Sequence, residues 1–482
     1  MNIKELFTPE LVAFVAQHRN DDVRKLAFLA DKYPTIDFPF ALNQVAGMQT
    51  ASTKLPTWAD KEGIVYPPHI SMEQCSSEPT ARYKAELVQR LSNDYLQNKK
   101  RTSVKDNQSC AKDELLLAKD NGTCVENNGK TTETSFSTLI DITGGFGVDF
   151  SFMAQGFNAT YVEQQPHLCE IALYNFPRLG LNNAKVVNGD GVDYLHTLQF
   201  STIIYLDPAR RNAEGGKTVA IADCTPNLLA IKEELIQKSG YTIVKLSPML
   251  DWHKAVRELN AEANIVREVH AIAVKNECKE LLFVLSKGDA PLRFYCANDG
   301  KIFSFNEQDE AQLQLSDPLL KGSNKLSPLS NKLSEDSNEL SPLSDLLLQT
   351  KAEPLQISDA SLIPQYLYEP NSAIMKLGGF APLSARYGVK AVSQNSHLFV
   401  SVDPIDDFAG RSFRIRTITS MNKKELRKAL SGITAANITV RNFPLSVADL
   451  RKKLKLKDGG NIYLFATTDV ANNHLLIVCE KC

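Results

Sequence analysis

Across residues 136 to 290, short β-branched apolar runs alternate with longer amphipathic stretches. TLIDIT, ATYVEQ, AKVVNG, STIIYLD and YTIVKLS read as buried strands, with VDFSFMAQGF, PHLCEIALYNFPRLGL, VDYLHTL, TPNLLAIKEELIQKSG and MLDWHKAVRELN as helices between them. Alternation at this spacing predicts a parallel sheet covered by helices on both faces. The last two runs, NIVREVHAIAV and KELLFVLSKG, have no helical stretch between them, which predicts an antiparallel hairpin at the end of the sheet.

The flanks follow other patterns. Residues 1–95 place apolar residues at helical spacing in LVAFVAQHRNDDVRKLAFLA and TARYKAELVQRLSNDYL, predicting a helical N-terminal domain. Residues 96–135 are polar and poor in aromatics, the composition of a flexible linker. Residues 291–410 are expected to form a small ferredoxin-like or connecting domain with a low-complexity insertion over 316–353. Within that insertion NKLSPLS, NKLSEDS and NELSPLS follow one another from Asn324 to Ser344, and their Pro and Ser content opposes a coiled coil. Residues 411–482 read as strand, helix, strand, helix, strand, strand. Ser446 and Asp449 open the second helix, Leu450 and Leu454 face inward, and Gly459 with Gly460 is expected to stop it.

A chain of 482 residues, 43% hydrophobic and 23% charged, can bury a substantial core. It has no uninterrupted apolar run of the ~18 residues that would span a bilayer, and its first residues lack a signal-peptide core, so a cytoplasmic protein without a membrane partner is expected. Nine unevenly spaced cysteines suit a reducing compartment, and the Cys479-x-x-Cys482 pair lacks the second pair that a zinc site needs, so no metal is expected. Charge is uneven: the whole chain carries −2, while residues 411–482 hold 14 Lys and Arg against 5 Asp and Glu, a local +9. That excess is the footprint of a polyanion-binding module.

The stretch DITGGFGVDF follows the first predicted strand, where a doubly wound sheet binds its ligand. Gly144, Gly145 and Gly147 let the backbone approach a ligand closely, and Thr143 lies in the same loop. The dinucleotide pattern G-x-G-x-x-G fails, because Phe150 stands where its third glycine belongs. Asp141 would repel a pyrophosphate but suits an ammonium. Glu163, ending the second strand, is placed for ribose hydroxyls, and Asp190, after the third, for an adenine amino group. These acids favour S-adenosylmethionine over a dinucleotide as cofactor.

With DITGGFG, YVE, NGD and YLDPARR in this order, residues 136–290 resemble the class I S-adenosylmethionine-dependent methyltransferases, although D-x-x-G-G-x-G replaces the commoner D-x-G-x-G-x-G. The blocks QVAGMQTASTKLPTW, SSEPTARYKAEL, VKLSPMLD, YLYEPNSAIMKLGGFA, NSHLFVS and GRSFRI extend the resemblance to a bacterial methyltransferase family with a THUMP-like C-terminal domain. The resemblance implies an α/β fold: a Rossmann-like seven-stranded methyltransferase sheet, a helical N-terminal domain over 1–95, and a small basic THUMP-like domain over 411–482.

Asp207, Pro208 and Arg210 occupy the position where such enzymes place their catalytic loop, with Arg211 as a substrate contact. An acidic side chain there can accept a hydrogen bond from the acceptor and orient its lone pair toward the methyl group. Lys245, Ser247 and Asp251 are candidate substrate contacts after the fifth strand. No cysteine follows that strand, which disfavours covalent carbon methylation and favours nitrogen or oxygen. Lys423, Lys424 and Arg427 on one predicted helix and Arg451, Lys452 and Lys453 on the next are candidate phosphate contacts. THUMP domains bind RNA, so the resemblance implies an RNA substrate, tRNA or rRNA. The alternatives are a protein or small-molecule acceptor, or a non-catalytic RNA-binding protein.

Overall fold

The computed structural model describes residues 3–117, 137–209, 221–306, 364–393 and 395–482. Arg210, Arg211 and the insertion at 316–353 lie outside them. Contacts divide the chain into two compact units: Met1–Asp251 with Glu258–Arg267 and Leu282–Asp289, and Trp252–Arg257 with Glu268–Leu281 and Ala290–Cys482.

The first unit opens with helices α1 (Ile3–Leu6), α2 (Pro9–Gln17), α3 (Val23–Leu26), α4 (Phe38–Lys54), α5 (Pro56–Ala59), α6 (His69–Gln74) and α7 (Glu78–Leu117). Their starts follow local chemistry. Thr8 caps α2 by accepting from the Leu11 N–H, and Asp37 caps α4 by accepting from the Phe40 N–H, each with a proline in the first turn. α7 runs to Leu117, so the segment expected as a flexible linker continues the helix over its first part. No Pro or Gly interrupts it there, and the polar composition is that of a charged helix. Residues 118–135 lie outside the described residues.

Strands β1 (Thr138–Asp141), β2 (Asn158–Glu163), β3 (Lys185–Asn188), β4 (Ser201–Leu206) and β5 (Ser239–Leu246) alternate with α8 (Val148–Met153), α9 (Pro166–Arg178), α10 (Gly191–Thr197) and α11 (Leu228–Gln237); α12 (Trp252–Leu259) follows β5. With β6 (Val266–Val274), β7 (Glu277–Leu285), β8 (Arg293–Asn298) and β9 (Lys301–Asn306) they give the strand order β3-β2-β1-β4-β5-β7-β6-β8-β9. The pairs β1·β2, β1·β4, β2·β3 and β4·β5 are all parallel. The order reverses between β1 and β4, and it is at the carboxyl ends of such strands that doubly wound sheets bind their ligands. β6 and β7 are joined by Lys275 and Asn276, both left-handed, the geometry of a two-residue hairpin turn. The expected seven strands therefore gain two: β8 pairs parallel with β6 and β9 antiparallel with β8. Those two strands fall in the stretch expected to start a separate domain at 291.

The N-terminal helices and the sheet share one core. Trp58, Val65, Tyr66 and Ala81 pack with Phe146, Val148, Leu168 and Ile171. Buried Asn175 on α9 exchanges hydrogen bonds with the backbone of Val65, at 2.9 and 2.8 Å. Segment 1–95 is thus built into the first unit rather than standing apart.

In the second unit, β10 (Tyr366–Pro370), α13 (Ser372–Leu377), α14 (Phe380–Tyr387), β11 (Lys390–Ala391), β12 (Phe399–Ser401), β13 (Gly410–Ser420), α15 (Lys423–Ala429), β14 (Asn437–Val440), α16 (Val447–Leu454), β15 (Ile462–Thr468) and β16 (His474–Lys481) follow in turn. Their sheet runs β11-β12-β10-β13-β16-β15-β14, so the 366–401 strands and the C-terminal strands are continuous. One face packs Leu464, Ala466, Leu476 and Val478 under α15 and α16 through Leu426 and Leu450, with Leu454 partly buried beside them. The other gathers Leu367, Leu398, Val400, Phe413, Phe465 and Ile477. Buried Glu369 on β10 takes hydrogen bonds from Arg411 and from Arg441, the latter at 3.0 Å.

α16 ends at Leu454, before the glycines expected to stop it. Lys455 turns left-handed and donates its N–H to the last-turn carbonyls, which frees Leu456 to enter the core. Among the described residues, no helix is long and apolar enough to cross a membrane. The start of α16 is as read: Ser446 Oγ accepts from the Asp449 N–H at 3.1 Å. Ser446→Ala should lower stability by about 1 kcal/mol in chemical denaturation, with Ser446→Asp near wild type; equal midpoints for all three proteins would remove the cap from the account.

Candidate active site

The loop after β1 is pinned from β2. The Gly144 N–H donates to the Val162 carbonyl at 2.9 Å, and the Gly145 N–H donates to Glu163 Oε2 at 2.7 Å. The Tyr161 hydroxyl donates to the Gly145 carbonyl. Gly144 is small for a packing reason, since a Cβ there would lie 2.2 Å from the Tyr161 ring. Gly145 and Gly147 have φ of +58° and +82°, and Gly147 opens α8. Glycine freedom thus shapes two of the three positions, and aromatic packing the other.

The sequence-predicted acids lie at neighbouring strand ends with distinct surroundings. Asp141 is buried, and its Oδ1 accepts from the Thr143 N–H at 2.9 Å and hydroxyl at 3.3 Å. The same hydroxyl accepts from the Asp207 N–H at 2.7 Å, so Thr143 joins the end of β1 to the end of β4. Burial pushes the Asp141 carboxyl up to about 8; the Thr143 N–H opposes this, and the charges of Asp149 and Asp207 add to it. Both Glu163 oxygens accept backbone hydrogen bonds, Oε1 from the Gln165 N–H at 2.8 Å. Asp190 caps α10 by accepting from the Val192 and Asp193 N–H groups, and its other oxygen accepts from the Gln164 amide.

Asp207 projects beyond β4 with its side chain one-third exposed, and one carboxylate oxygen is paired with the Lys245 ammonium from β5. Pro208 is buried, and Ala209 forms a backbone bridge to Thr225. Ser247 is buried in a turn, where its hydroxyl accepts from the Met249 N–H at 3.1 Å. Asp251 is exposed just before α12. Arg210 and Arg211 lie outside the described residues.

Four groups that sequence reasoning missed complete the site. Asp149, the acid two positions after Gly147, is buried with Oδ1 3.0 Å from the Lys84 ammonium of α7. Its Oδ2 accepts from Ser76 and from Tyr205, both at 2.8 Å, and lies 3.6 Å from the Lys245 ammonium. Burial opposes its ionisation, yet Lys84 and Lys245, with the Tyr205 and Ser76 hydrogen bonds, hold the Asp149 carboxyl below the usual carboxylate range. A signal existed: Lys84 falls on the same helical stripe as buried Ala81, Val88 and Leu91, where a charge demands a partner.

The basic tail candidates lie on the outer side of α15 and α16. Lys423, Lys424, Arg427, Lys452 and Lys453 are exposed, as are Lys428, Lys455 and Lys457. Arg451 differs: it is partly buried and paired with Asp458 at 2.6 Å, so its charge is already engaged.

Residues 410–481 match the THUMP domain-like family, and residues 366–408 match a family of ferredoxin-like domains. No curated protein matches the chain in sequence. The crystal structure of a proposed methyltransferase from Porphyromonas gingivalis W83 is 23% identical, with a TM-score of 0.71 over 100% of this chain and 99% of that one. The S-adenosylmethionine-dependent methyltransferase from Agrobacterium tumefaciens aligns over 36% of this chain and 55% of its own, at 16% identity and a TM-score of 0.23. The chain has a class I methyltransferase fold. It carries a THUMP-like domain over residues 410–481, whose strands share the second sheet with those of the 366–408 match.

An acid whose folded pKa is about 8, against an ordinary value of roughly 3.9, keeps its proton in the folded protein while the unfolded chain loses it. Stability from this group is therefore full below pH ~4 and falls as pH rises toward ~8. Asp141→Asn, which cannot ionise, should gain stability relative to wild type as pH increases from 5 to 8. Thermal unfolding across that range checks it, and a constant difference between the two proteins would contradict it.

Proposed function

We propose that the protein is an S-adenosylmethionine-dependent methyltransferase that modifies a nitrogen or oxygen of an RNA nucleotide. The observation that carries this reading is the set of carboxylates at the ends of β1, β2 and β4, with Asp190 capping α10 after β3, around a glycine loop. That donor set fits the cofactor. Among the described residues, no Lys or Arg is a hydrogen-bond or ion-pair partner of Asp141, Glu163 or Asp190, which does not favour a phosphate, and a cationic ligand would ease the burial of Asp141. A side chain at Gly189 would meet nothing within 4 Å, which leaves room beside these acids.

In this reading Asp141 faces the amino-acid ammonium of the cofactor through the Thr143–Gly147 loop, Glu163 holds the ribose hydroxyls, and Asp190 holds the adenine edge. S-adenosylmethionine supplies a methyl group already made electrophilic by its sulfonium, so the protein's task is orientation. Asp207 has one oxygen engaged by Lys245, leaving the other to accept a hydrogen bond from the acceptor N–H or O–H. Pro208, buried next in the chain, would fix the backbone of this catalytic loop, and Arg210 and Arg211 follow it in sequence as candidate contacts to the acceptor's phosphates. Lys245, Ser247 and Asp251 sit along the next strand end, where the acceptor would enter. The absence of a cysteine between Leu246 and Asp251 disfavours a covalent route to carbon.

RNA is favoured by the exposed cations of α15 and α16 on a segment carrying +9. Such a surface grips phosphates without reading bases and leaves selection to RNA shape and to the pocket. Bulk RNA from cells lacking the protein should accept tritiated methyl from S-adenosylmethionine with the wild-type chain. Asp207→Ala should lower the rate about a hundredfold or more, the scale of losing acceptor orientation. Label entering protein or a small molecule, with none in RNA, would overturn the choice of substrate.

A further inference from the structure

Behind Asp207, charges alternate in sign along a chain: Lys84, Asp149, Lys245, Asp207. Lys84 is fully buried and Asp207 is the member that reaches the open side of the site. Asp149 is fixed from four directions, by Lys84, Ser76, Tyr205 and Lys245. Lys84 is also held by its own hydrogen bond to the Ser76 hydroxyl at 3.1 Å.

A buried ion pair is a poor stabilising device, because hydrophobic residues of similar volume often do as well or better. The arrangement makes sense as a way of dividing one ammonium between two carboxylates. Lys245 lies between Asp149 and Asp207, and the carboxylate with less positive charge elsewhere attracts it more strongly. Because Lys84 already neutralises Asp149, Lys245 stands 3.6 Å from Asp149 and closer to Asp207. Without the charge on Lys84, Asp149 would be a buried carboxylate short of a cation, and Lys245 would swing onto it and away from Asp207.

We propose that Lys84, on a helix that precedes the methyltransferase sheet, is a positioning residue: through Asp149 it holds Lys245 on Asp207 and so sets the orientation of the acceptor-facing carboxylate. This rests on the reading of Asp207 as the acceptor's hydrogen-bond partner. It gives the N-terminal helices a part in the reaction although none of their residues need touch the substrate.

The test is a double-mutant cycle on the full chain, using Lys84→Met, Asp149→Asn and the pair together, with RNA methyl transfer, cofactor affinity by calorimetry and a crystal structure of each variant. Lys84→Met should lower kcat about a hundredfold, the scale of a ~1 Å misplacement in an oriented reaction. The KM for RNA and the affinity for S-adenosylmethionine should stay near wild type, and Lys245 Nζ should lie nearer Asp149 than Asp207. The double variant, lacking the carboxylate that draws Lys245 away, should return Lys245 to Asp207 and recover most of kcat. A Lys84→Met protein with Lys245 still on Asp207, or one whose lost kcat the second substitution does not restore, would overturn the proposal. If Lys84→Met does not fold, Ser76→Ala and Tyr205→Phe each remove one hydrogen bond from Asp149 and should move Lys245 the same way to a smaller extent; an unmoved Lys245 in both would again overturn it. If the wild-type chain transfers no methyl to RNA, the substrate reading fails by itself, and the Lys245 position in the variant structures still decides the positioning claim.

Discussion

The carboxylate of Asp149, buried against the Lys84 ammonium, is the polar contact that ties the N-terminal helices to the strand ends of the candidate site. Removing two charges from water costs several kcal/mol each, and their attraction offsets this only with good geometry and further hydrogen bonds. Here Lys84, Ser76, Tyr205 and Lys245 surround one carboxylate, and they come from α7, the turn before it, β4 and β5. Breaking such a pair from one side leaves an uncompensated buried charge, so the site and the N-terminal helices must assemble together. The apolar packing of Trp58 and Tyr66 against Phe146 and Val148 runs alongside this polar junction.

From that junction the strand ends acquire different chemistry. Two facing cations hold the Asp149 carboxyl low, whereas Asp141, more deeply buried, accepts from a backbone N–H and a hydroxyl and is pushed up to about 8. Thr143 links Asp141 to Asp207 through one hydroxyl, and Lys245 links Asp207 to Asp149. The loop glycines carry this arrangement under tight steric limits: at Gly144 the Tyr161 ring leaves no space for a methyl, while Tyr161 and Glu163 hold the Gly145 peptide from both its polar ends.

Much of this was legible because strand periodicity and motif spacing are local signals. Asp141, Glu163 and Asp207 end β-branched runs, and those runs became β1, β2 and β4 in parallel register. The C-terminal strand and helix order was also as read, since Ser446 and the inward Leu450 are short-range cues. What sequence could not supply was pairing at a distance. Lys84 precedes Asp149 by 65 positions, and its place on the apolar stripe of α7 signals that it needs a partner without saying which. Residues 96–117 were misjudged from polarity, although they lack the Pro and Gly that would break a helix. α16 stops at Lys455 because a non-glycine residue adopts the left-handed conformation there, which composition does not announce.

The measurement closest to the central claim is calorimetric titration of S-adenosylmethionine into the wild-type protein at pH 7, in two buffers with different ionisation enthalpies. If the strand-end acids receive a cationic cofactor, binding forces the protonated Asp141 to ionise, and complex formation releases close to one proton per site. The release should shrink as pH passes about 8 and vanish in Asp141→Asn. No binding, or a release that Asp141→Asn leaves unchanged, would contradict the account.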